Sequence, residues 1–277
     1  MKLNKLAEFP KIDGAFGFTG SQAPTMLFDG TTILKLFFTT RDSKNRGDLG
    51  YFSLYRPNSM SNLEDNVAKA STHILGNTLG KPGTFNSSGS MVSQCFSNHM
   101  YITGWNLGAD EHSTFKNSIG RLDFDWGFRL SNSEVLIDRD KNFPLGCSMP
   151  FYDDDDLYLM RFTGWLNKKA LYDIVVYNES TKKLDTILTG RYCYARPVIH
   201  KSGKNRQLWY CYRDFDKKNY KAGCLELING TWFPVPVEAE DKIVAYPFPF
   251  TIDNKTYVLY NNDKSLGGAI QLAEVVE

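Results

Sequence analysis

Apolar and polar residues alternate along most of the chain, in short runs that are rich in aromatic and β-branched side chains. Runs such as LKLFFTTRD, HMYITGWN, LYLMRFTGW, QLWYCYRD and KTYVLYNND are typical of strands. Clusters of Gly, Asn and Asp separate them and predict tight turns. No long stretch has the helical period, and SNLEDNVAKAS predicts at most a short helical turn. The pattern predicts an all-β protein.

A degenerate repeat groups these strands. Five openings, most of them at a proline, lead into an apolar strand: SQAPTMLF, SSGSMVSQ, CSMPFY, YARPVIH and AYPFPF. An aromatic-rich strand follows each opening, then a third strand, while a fourth is weak in sequence, as in SEVLIDRD and NGTWFPVPV. Units of this kind, about 47 to 67 residues apart, are typical of a five-bladed β-propeller. A two-sheet sandwich would hold as many strands but would not explain matching openings.

We therefore predict a single domain over residues 1–277, with blades at approximately 17–60, 72–130, 134–182, 186–236 and 239–277. In this architecture the innermost strands converge on a central axis, so the openings line one mouth of the channel. The openings contribute Gln22, Ser88, Ser148, Arg196 and Tyr246 as candidate binding residues. The loops after the second strands add Arg41, Trp105, Trp165, Arg213 and Asn261.

Two residue types in this set leave alternatives open. Trp105 and Trp165 recur at equivalent places, where an indole ring can stack on a sugar or pack between blades. Arg196 precedes a central-strand proline, and a buried arginine needs an anionic partner, either on a ligand or on the protein. The arginines around the mouth indicate a ligand with negative charge.

The charge balance narrows the function further. The 32 basic and 31 acidic residues leave a net charge of +1, which argues against binding nucleic acid or a membrane surface through a basic field. No apolar run is long enough for a membrane span, and the N-terminal residues lack a signal-peptide block. We expect a cytoplasmic protein without nucleic-acid partners; its oligomeric state stays open.

Metal and cofactor sites are not expected either. The five cysteines include no CxxC spacing and are interpreted as buried, reduced thiols. The run Asp153–Asp156 is interpreted as a solvated turn between the first two strands of the third blade, because the calcium-loop pattern is absent. No phosphate-binding loop, dinucleotide fingerprint or nucleophile elbow is present.

The ordered openings resemble a known group. The matching text is AP-T-L with LFFTTRD, GTF-two residues-SG with YITGWN, NSIG, a small-Ser-x-Pro opening with TGW, ARPV with WYCYR, and AYPF with YVLYNN. This order resembles the five-bladed propellers of the glycoside hydrolase clan that contains arabinanases, xylosidases, fructosidases and mannoside phosphorylases. It is most similar to compact, uncharacterised single-propeller members found among bacterial polysaccharide genes. The resemblance covers essentially the whole chain.

The resemblance implies carboxylates at the channel mouth, one acting as general acid and one as base or nucleophile. The sequence departs from that pattern. Asn86 and Ser87 stand where relatives often carry acids, and the first and third openings supply Gln22 and Ser148. Ordinary two-carboxylate hydrolysis therefore lacks its usual residues.

Two functions from different classes follow. The favoured hypothesis is an enzyme that cleaves or transfers a glycosidic bond in bacterial polysaccharide or glycoconjugate metabolism. Its candidate catalytic residues are Asp42, which follows the first aromatic strand, and the loop residues Asp110, Glu111 and His112. Asp42 could equally cap a turn through Arg41 or Arg46. The alternative is a non-catalytic glycan-binding propeller that has lost the carboxylates of the clan.

Overall fold

Strands dominate the protein. The computed structural model describes residues 1–12, 18–28, 33–44, 46–55, 63–76, 78, 80–81, 84–106, 117–125, 128–138, 147–166, 169–190, 192–214, 219–262 and 268–276. Within these residues the one helix is the short α1 (Leu63–Ala68), where the sequence predicted a helical turn. None of the helical segments described is long and apolar enough to cross a membrane. The all-β prediction is confirmed.

Two antiparallel sheets have four strands each, ordered as they follow one another along the chain. One consists of β10 (Cys147–Asp153), β11 (Asp156–Leu166), β12 (Lys169–Asn178) and β13 (Lys183–Leu188). The other consists of β14 (Tyr192–Ser202), β15 (Asn205–Asp214), β16 (Lys221–Ile228) and β17 (Thr231–Val235).

A larger, eight-stranded sheet divides into two similar units. The first is β2 (Phe18–Phe28), β3 (Ile33–Asp42), β4 (Gly47–Tyr55) and β5 (Ser71–Ile74). The second is β6 (Gly89–Cys95), β7 (His99–Trp105), β8 (Asn117–Phe124) and β9 (Leu130–Ile137). The units join at one parallel pair, Gly47 with Gly89.

The last unit brings the two ends of the chain together. It consists of β19 (Ala245–Ile252), β20 (Lys255–Asn261), β21 (Ile270–Val276) and the N-terminal β1 (Lys2–Glu8), with the two-residue β18 (Glu238–Ala239) at its edge. β1 pairs with β21 along most of its length, from Lys2 opposite Val276 to Glu8 opposite Gln271. The N-terminal strand therefore completes a sheet built from the C-terminal residues.

Each unit begins with an inner strand, and the inner strands contact one another in a cycle. The order is β2, β6, β10, β14, β19 and back to β2. Apolar side chains fill the layers between units; Phe37, Leu49, Val92 and Ile102 form one between the first two. Burying a large apolar side chain contributes roughly 1.5–3 kcal/mol, so these layers hold the units together.

Four of the five inner strands contain a bulge at a residue that precedes proline. These residues have positive φ angles, with values of 53° for Ala23, 53° for Met149, 52° for Arg196 and 55° for Tyr246. At each one, the pairing with the second strand skips this residue and its proline. Proline lacks an N–H donor and excludes the right-handed helical conformation for the residue before it. The prolines of the repeat therefore mark the places where the regular backbone pairing between the first and second strands of a unit is interrupted.

The strand bounds differ from the expected blade ranges in three places. β5 pairs with β4 in the first unit, although the second range was expected to begin at residue 72. β9 is the outer strand of the second unit, although the third range was expected to begin at residue 134. β1 lies outside every expected range. These are outer strands, and their partners are set by pairing that short-range sequence patterns do not encode.

Two minor expectations agree with the structure. Asp154 and Asp155 form the turn between β10 and β11, as predicted for the aspartate run, whereas Asp153 ends β10 with a side chain that is 10% exposed and pairs with Lys201 and Arg206. Cys95, Cys193, Cys211 and Cys224 are buried and free. Among the residues described, no group of acids, histidines and cysteines could hold a metal ion.

Candidate functional site

Side chains from all five units meet where the inner strands begin. The buried ones are Ala23, Met91, Met149, Met160, Tyr172, Cys193, Ala195 and Cys211, and the partly buried ones are Trp105, Phe162, Tyr220 and Tyr246. We call this set the mouth cluster. It contains aromatic rings and sulfur atoms from strands far apart in sequence, so only the tertiary fold brings it together.

Trp105 lies at the junction of the first two units. A Cβ on Gly89 would come within 2.0 Å of its Cζ2, and one on Gly47 within 2.8 Å of its Cη2, so the indole lies directly on both glycines. The Arg41 guanidinium is over the ring, 5.1 Å from the centroid. The indole thus packs between units, as one of the two sequence alternatives proposed, while Arg41 brings a cation to the mouth.

A second pair of cation and ring lies on the fourth unit. The Arg213 guanidinium is 5.3 Å from the centroid of Tyr220, and the Tyr220 ring is 6.0 Å from that of Tyr246. Burial raises the pKa of Tyr246 to about 12, although Arg41 and Arg196 lower it, and burial also raises the pKa of the Cys193 thiol. The phenols and thiols are therefore neutral near pH 7, and the arginines give the mouth its positive charge.

Arg196 is almost fully buried, at 1% exposed. Its Nη2 atom donates to the carbonyl oxygen of Pro24 on β2. Burial lowers the pKa of Arg196 to about 10, which still leaves the guanidinium protonated near pH 7. That this side chain lines a channel and contacts a ligand stays a prediction.

Asn261 holds the bulge of β2 in place. Its side-chain Nδ2 donates to the Ser21 carbonyl oxygen at 2.5 Å, and its Oδ1 accepts from the Ala23 N–H at 3.1 Å. The residue is 0% exposed, so both ends of the amide are used within the protein. These contacts make Asn261 a positioning residue for the mouth; contact with a ligand stays a prediction.

The remaining candidates are more scattered. Gln22 is buried beside the β2 bulge, and the half-buried Ser88 donates its N–H to the Trp105 carbonyl oxygen at 3.0 Å. Ser148 is 2% exposed, and its Oγ has no hydrogen-bond partner in the described part of the chain. Trp165 pairs with Ala170 in the backbone ladder of β11 and β12, and its side chain lies outside the described residues.

Asp42 ends β3 and is bound into the turn that follows. Its Oδ1 accepts from the N–H groups of Lys44 at 2.9 Å and Arg46 at 2.8 Å, and Oδ2 pairs with Arg46 Nε at 2.7 Å. Burial raises the pKa of Asp42, but these hydrogen bonds and the Arg46 charge lower it more. The turn-capping contact with Arg46 is present, and a catalytic role stays a prediction. Asp110, Glu111 and His112 lie outside the described residues.

One acid was missed by sequence reasoning. Asp48 on β4 is 1% exposed, accepts from the Leu49 N–H at 2.7 Å and is hydrogen-bonded to the Thr78 hydroxyl. Burial raises its pKa, in contrast to that of Asp42. A raised carboxyl pKa is what a general acid requires, but these contacts tie Asp48 to its own layer. Nothing in its sequence context, GDLG, distinguishes it from a turn residue.

The bulges determine which side chains are turned out of the inner sheets. The residues there are Ala23, Met149, Arg196 and Tyr246, and none of them carries a carboxylate. Non-glycine residues with positive φ are uncommon and cluster at functional sites. The described mouth can thus offer ring faces, guanidinium groups and hydroxyls to a ligand, but no opposed pair of carboxylates at these positions.

The fold is shared with glycoside hydrolases of known structure. The α-L-arabinofuranosidase from Lactobacillus brevis has a TM-score of 0.66 at 10% identity, over 92% of this chain and 90% of that one. The catalytic domain of the Coprinopsis cinerea GH62 α-L-arabinofuranosidase has a TM-score of 0.62 at 11% identity, over 99% and 96%. A GH62 hydrolase in complex with xylotriose has a TM-score of 0.55 at 14% identity, over 99% and 97%.

No protein-family model matches the sequence, and no curated protein matches it. At these identities the structural likeness concerns the fold alone. The resemblance that the sequence motifs indicated, to the five-bladed propeller glycoside hydrolases, is confirmed at that level.

Proposed function

We propose that the five units are the blades of one closed five-bladed propeller, and that the mouth cluster is its ligand site. The cyclic contacts of the inner strands support closure, as does the N-terminal strand that completes the last unit. A fold does not by itself imply a chemistry, so the reaction has to be argued from the side chains of this cluster.

We further propose that the protein is carbohydrate-active and binds a sugar or oligosaccharide that carries negative charge. The observation that carries this proposal is the convergence of rings and cations at one mouth: Trp105 under Arg41, and Tyr220 under Arg213. Aromatic faces pack against the C–H faces of sugar rings, and guanidinium groups bind hydroxyls and acid groups. Burial raises the pKa of Tyr220 and Tyr246, so these phenols are neutral and add no negative charge beside the guanidinium groups.

For the reaction, the proposal is cleavage or transfer of a glycosidic bond. Asp42 would act as base or cation-stabilising carboxylate, because Arg46 keeps it ionised. The second proton-transfer group would come from Asp110, Glu111 or His112. A place in bacterial polysaccharide or glycoconjugate metabolism, in the cytoplasm, is part of the same proposal.

A second candidate is favoured by a specific observation. The four proline bulges present no carboxylate to the channel, and Asp42 is engaged by Arg46 in a turn. A protein with this arrangement could retain the sugar site without the reaction. The alternative function is therefore a non-catalytic glycan-binding propeller.

Calorimetric titration tests the shared part of both proposals. Arabino- and xylo-oligosaccharides and an oligogalacturonide are titrated into the wild type, Trp105→Leu and the control Trp232→Leu, which removes an indole from an outer strand. We expect binding to weaken about tenfold in Trp105→Leu and to stay unchanged in the control. Absence of binding by every saccharide, or equal weakening in both variants, would overturn a sugar site at the mouth.

Turnover then separates the enzyme from the binding protein. Release of reducing ends from each bound oligosaccharide is measured for the wild type, Asp42→Asn and the control Asp125→Asn, another turn aspartate, which accepts from the Arg129 N–H at 2.9 Å. If Asp42 is essential, its variant alone loses about 10²–10⁴-fold in rate. Binding without any turnover by the wild type would establish the non-catalytic alternative.

A further inference from the structure

Arg196, on an inner strand, is a buried cation that forms no ion pair within the part of the chain that the structure describes. Arg196 starts from β14, yet its Nη2 reaches the Pro24 carbonyl oxygen on β2. In the cycle of inner strands, β14 contacts β10 and β19 and is not a neighbour of β2. The guanidinium therefore crosses the interior of the ring rather than lying against its own sheet.

Two of the three nitrogen atoms of Arg196 have no acceptor among the described residues. Nε and Nη1 are buried and make no hydrogen bond in the described part of the chain. No carboxylate among the described residues forms an ion pair with Arg196. The titratable groups that face it are Cys95 on β6, Cys211 on β15 and Tyr246 on β19, and burial keeps all three neutral.

A protonated guanidinium is stable in such a place only when its charge and its donors are matched. One carbonyl oxygen satisfies one N–H and supplies no net charge. Two other inner strands also carry buried hydroxyls that make no hydrogen bond within the described residues, Ser93 on β6 and Ser148 on β10. Arg196 is thus a buried cation whose Nε and Nη1 make no hydrogen bond within the described residues, and a small anion would supply both the acceptor and the counter-charge.

We propose that the interior of the ring, next to the mouth cluster, binds a small anion against Nε and Nη1 of Arg196. The same chemistry has two sources, a free anion such as chloride or the carboxylate of an acidic sugar seated at the mouth. In the second case the inference rests on the proposed function and specifies how that ligand is recognised. In the first case the anion is a constituent of the ring itself.

The first test is the Tm of the protein in sodium bromide, with ionic strength held constant by a bulky organic sulfonate. An anion that binds only the folded protein raises Tm along a saturating curve. We expect this curve for the wild type and for the control Arg121→Met. Arg121 lies on β8 of the second unit, away from Arg196, and pairs with Asp123 of the same strand. Arg196→Met should raise the bromide concentration at half-saturation at least tenfold. A rise that does not saturate, or that is equal in both variants, would overturn the proposal.

A direct measurement covers the case in which Arg196→Met does not fold. Wild-type crystals soaked in bromide are expected to give an anomalous peak within hydrogen-bond distance of the Arg196 Nε or Nη1 atom. Bromide found at other sites, with none beside Arg196, would refute the assignment without any variant.

Galacturonate and galactose distinguish the two sources. If the sugar supplies the anion, galacturonate raises Tm, bromide competes with it, and galactose competes with neither. If the anion is free, bromide alone raises Tm, and saccharide binding is unchanged by it. Saccharide binding without any effect of bromide or of the carboxylate would leave a sugar site at the mouth standing, and it would remove both this inference and the negative charge proposed for the ligand. A bromide site beside Arg196 without any saccharide binding would support this inference and overturn the proposed function.

Discussion

Gly89 leaves room for the indole of Trp105, and Gly89→Ala should force that ring out of place. The new Cβ would lie 2.0 Å from Cζ2 and 2.1 Å from Cε2. Since non-bonded carbon atoms rest about 3.5 Å apart, the ring or the strand must shift by roughly 1.5 Å. Overpacking of this kind costs about 1–3 kcal/mol of the free energy of unfolding. The backbone of Gly89 is not in the left-handed region, so the cost comes from the contact.

A double-mutant cycle isolates that contact. In a Trp105→Ala background the obstacle is gone, and alanine is favoured over glycine within a strand by about 0.5–1 kcal/mol. Gly89→Ala should then be neutral or stabilising, which gives a coupling free energy of about 1–4 kcal/mol between the two positions. Urea unfolding of the four proteins, compared at equal m values, measures it. Costs that are equal in both backgrounds to within about 0.5 kcal/mol would refute the packing argument.

Three further outcomes are expected. Asn261→Ala should lower the free energy of unfolding by about 1–3 kcal/mol, measured by urea unfolding, because it leaves an N–H and a carbonyl of the β2 bulge unpaired in a buried place. The pKa of Asp42 is lowered overall by Arg46, so its stabilising effect is present above about pH 4 and lost as the pH falls further; Asp42→Asn should flatten the acid limb of stability against pH. Burial raises the pKa of Cys193 and Cys211, so iodoacetamide at pH 7.5 should label them slowly in the native protein and rapidly in urea, as read by mass spectrometry.

The repeat could be recognised from the sequence because the features that define it involve only neighbouring residues. A proline in an inner strand removes an N–H donor from the backbone pairing and restricts the backbone conformation of the residue before it. Each of these bulges therefore has a sequence signature, a small or polar residue followed by X-Pro. Four of the five openings carry this mark, at Ala23, Met149, Arg196 and Tyr246. The aromatic second strands add period-two alternation. These features suffice to predict an all-β chain of repeated units.

The pairing partners of the outer strands and the contacts of individual side chains could not be predicted from the sequence. β1 finds its partner β21 at the opposite end of the chain, and no local pattern encodes a pairing between Lys2 and Val276. Asn261 was assigned to ligand binding by its place in the repeat, yet its amide is bound to the β2 backbone. The motif around Asn261 specifies its position in the last unit, whereas its hydrogen-bond partners lie on β2 of the first unit.

The sequence by itself thus determined the strand periodicity, the repeat and the basic, aromatic character of the mouth. The tertiary structure decided which of those residues meet. It brought Arg41 over Trp105 and Arg213 over Tyr220, and it sent the guanidinium of Arg196 across the ring to Pro24. The physical reason is that strand propensity and turn chemistry act over a few residues, while charge and packing at the axis depend on five strands that are distant in sequence and adjacent only after folding.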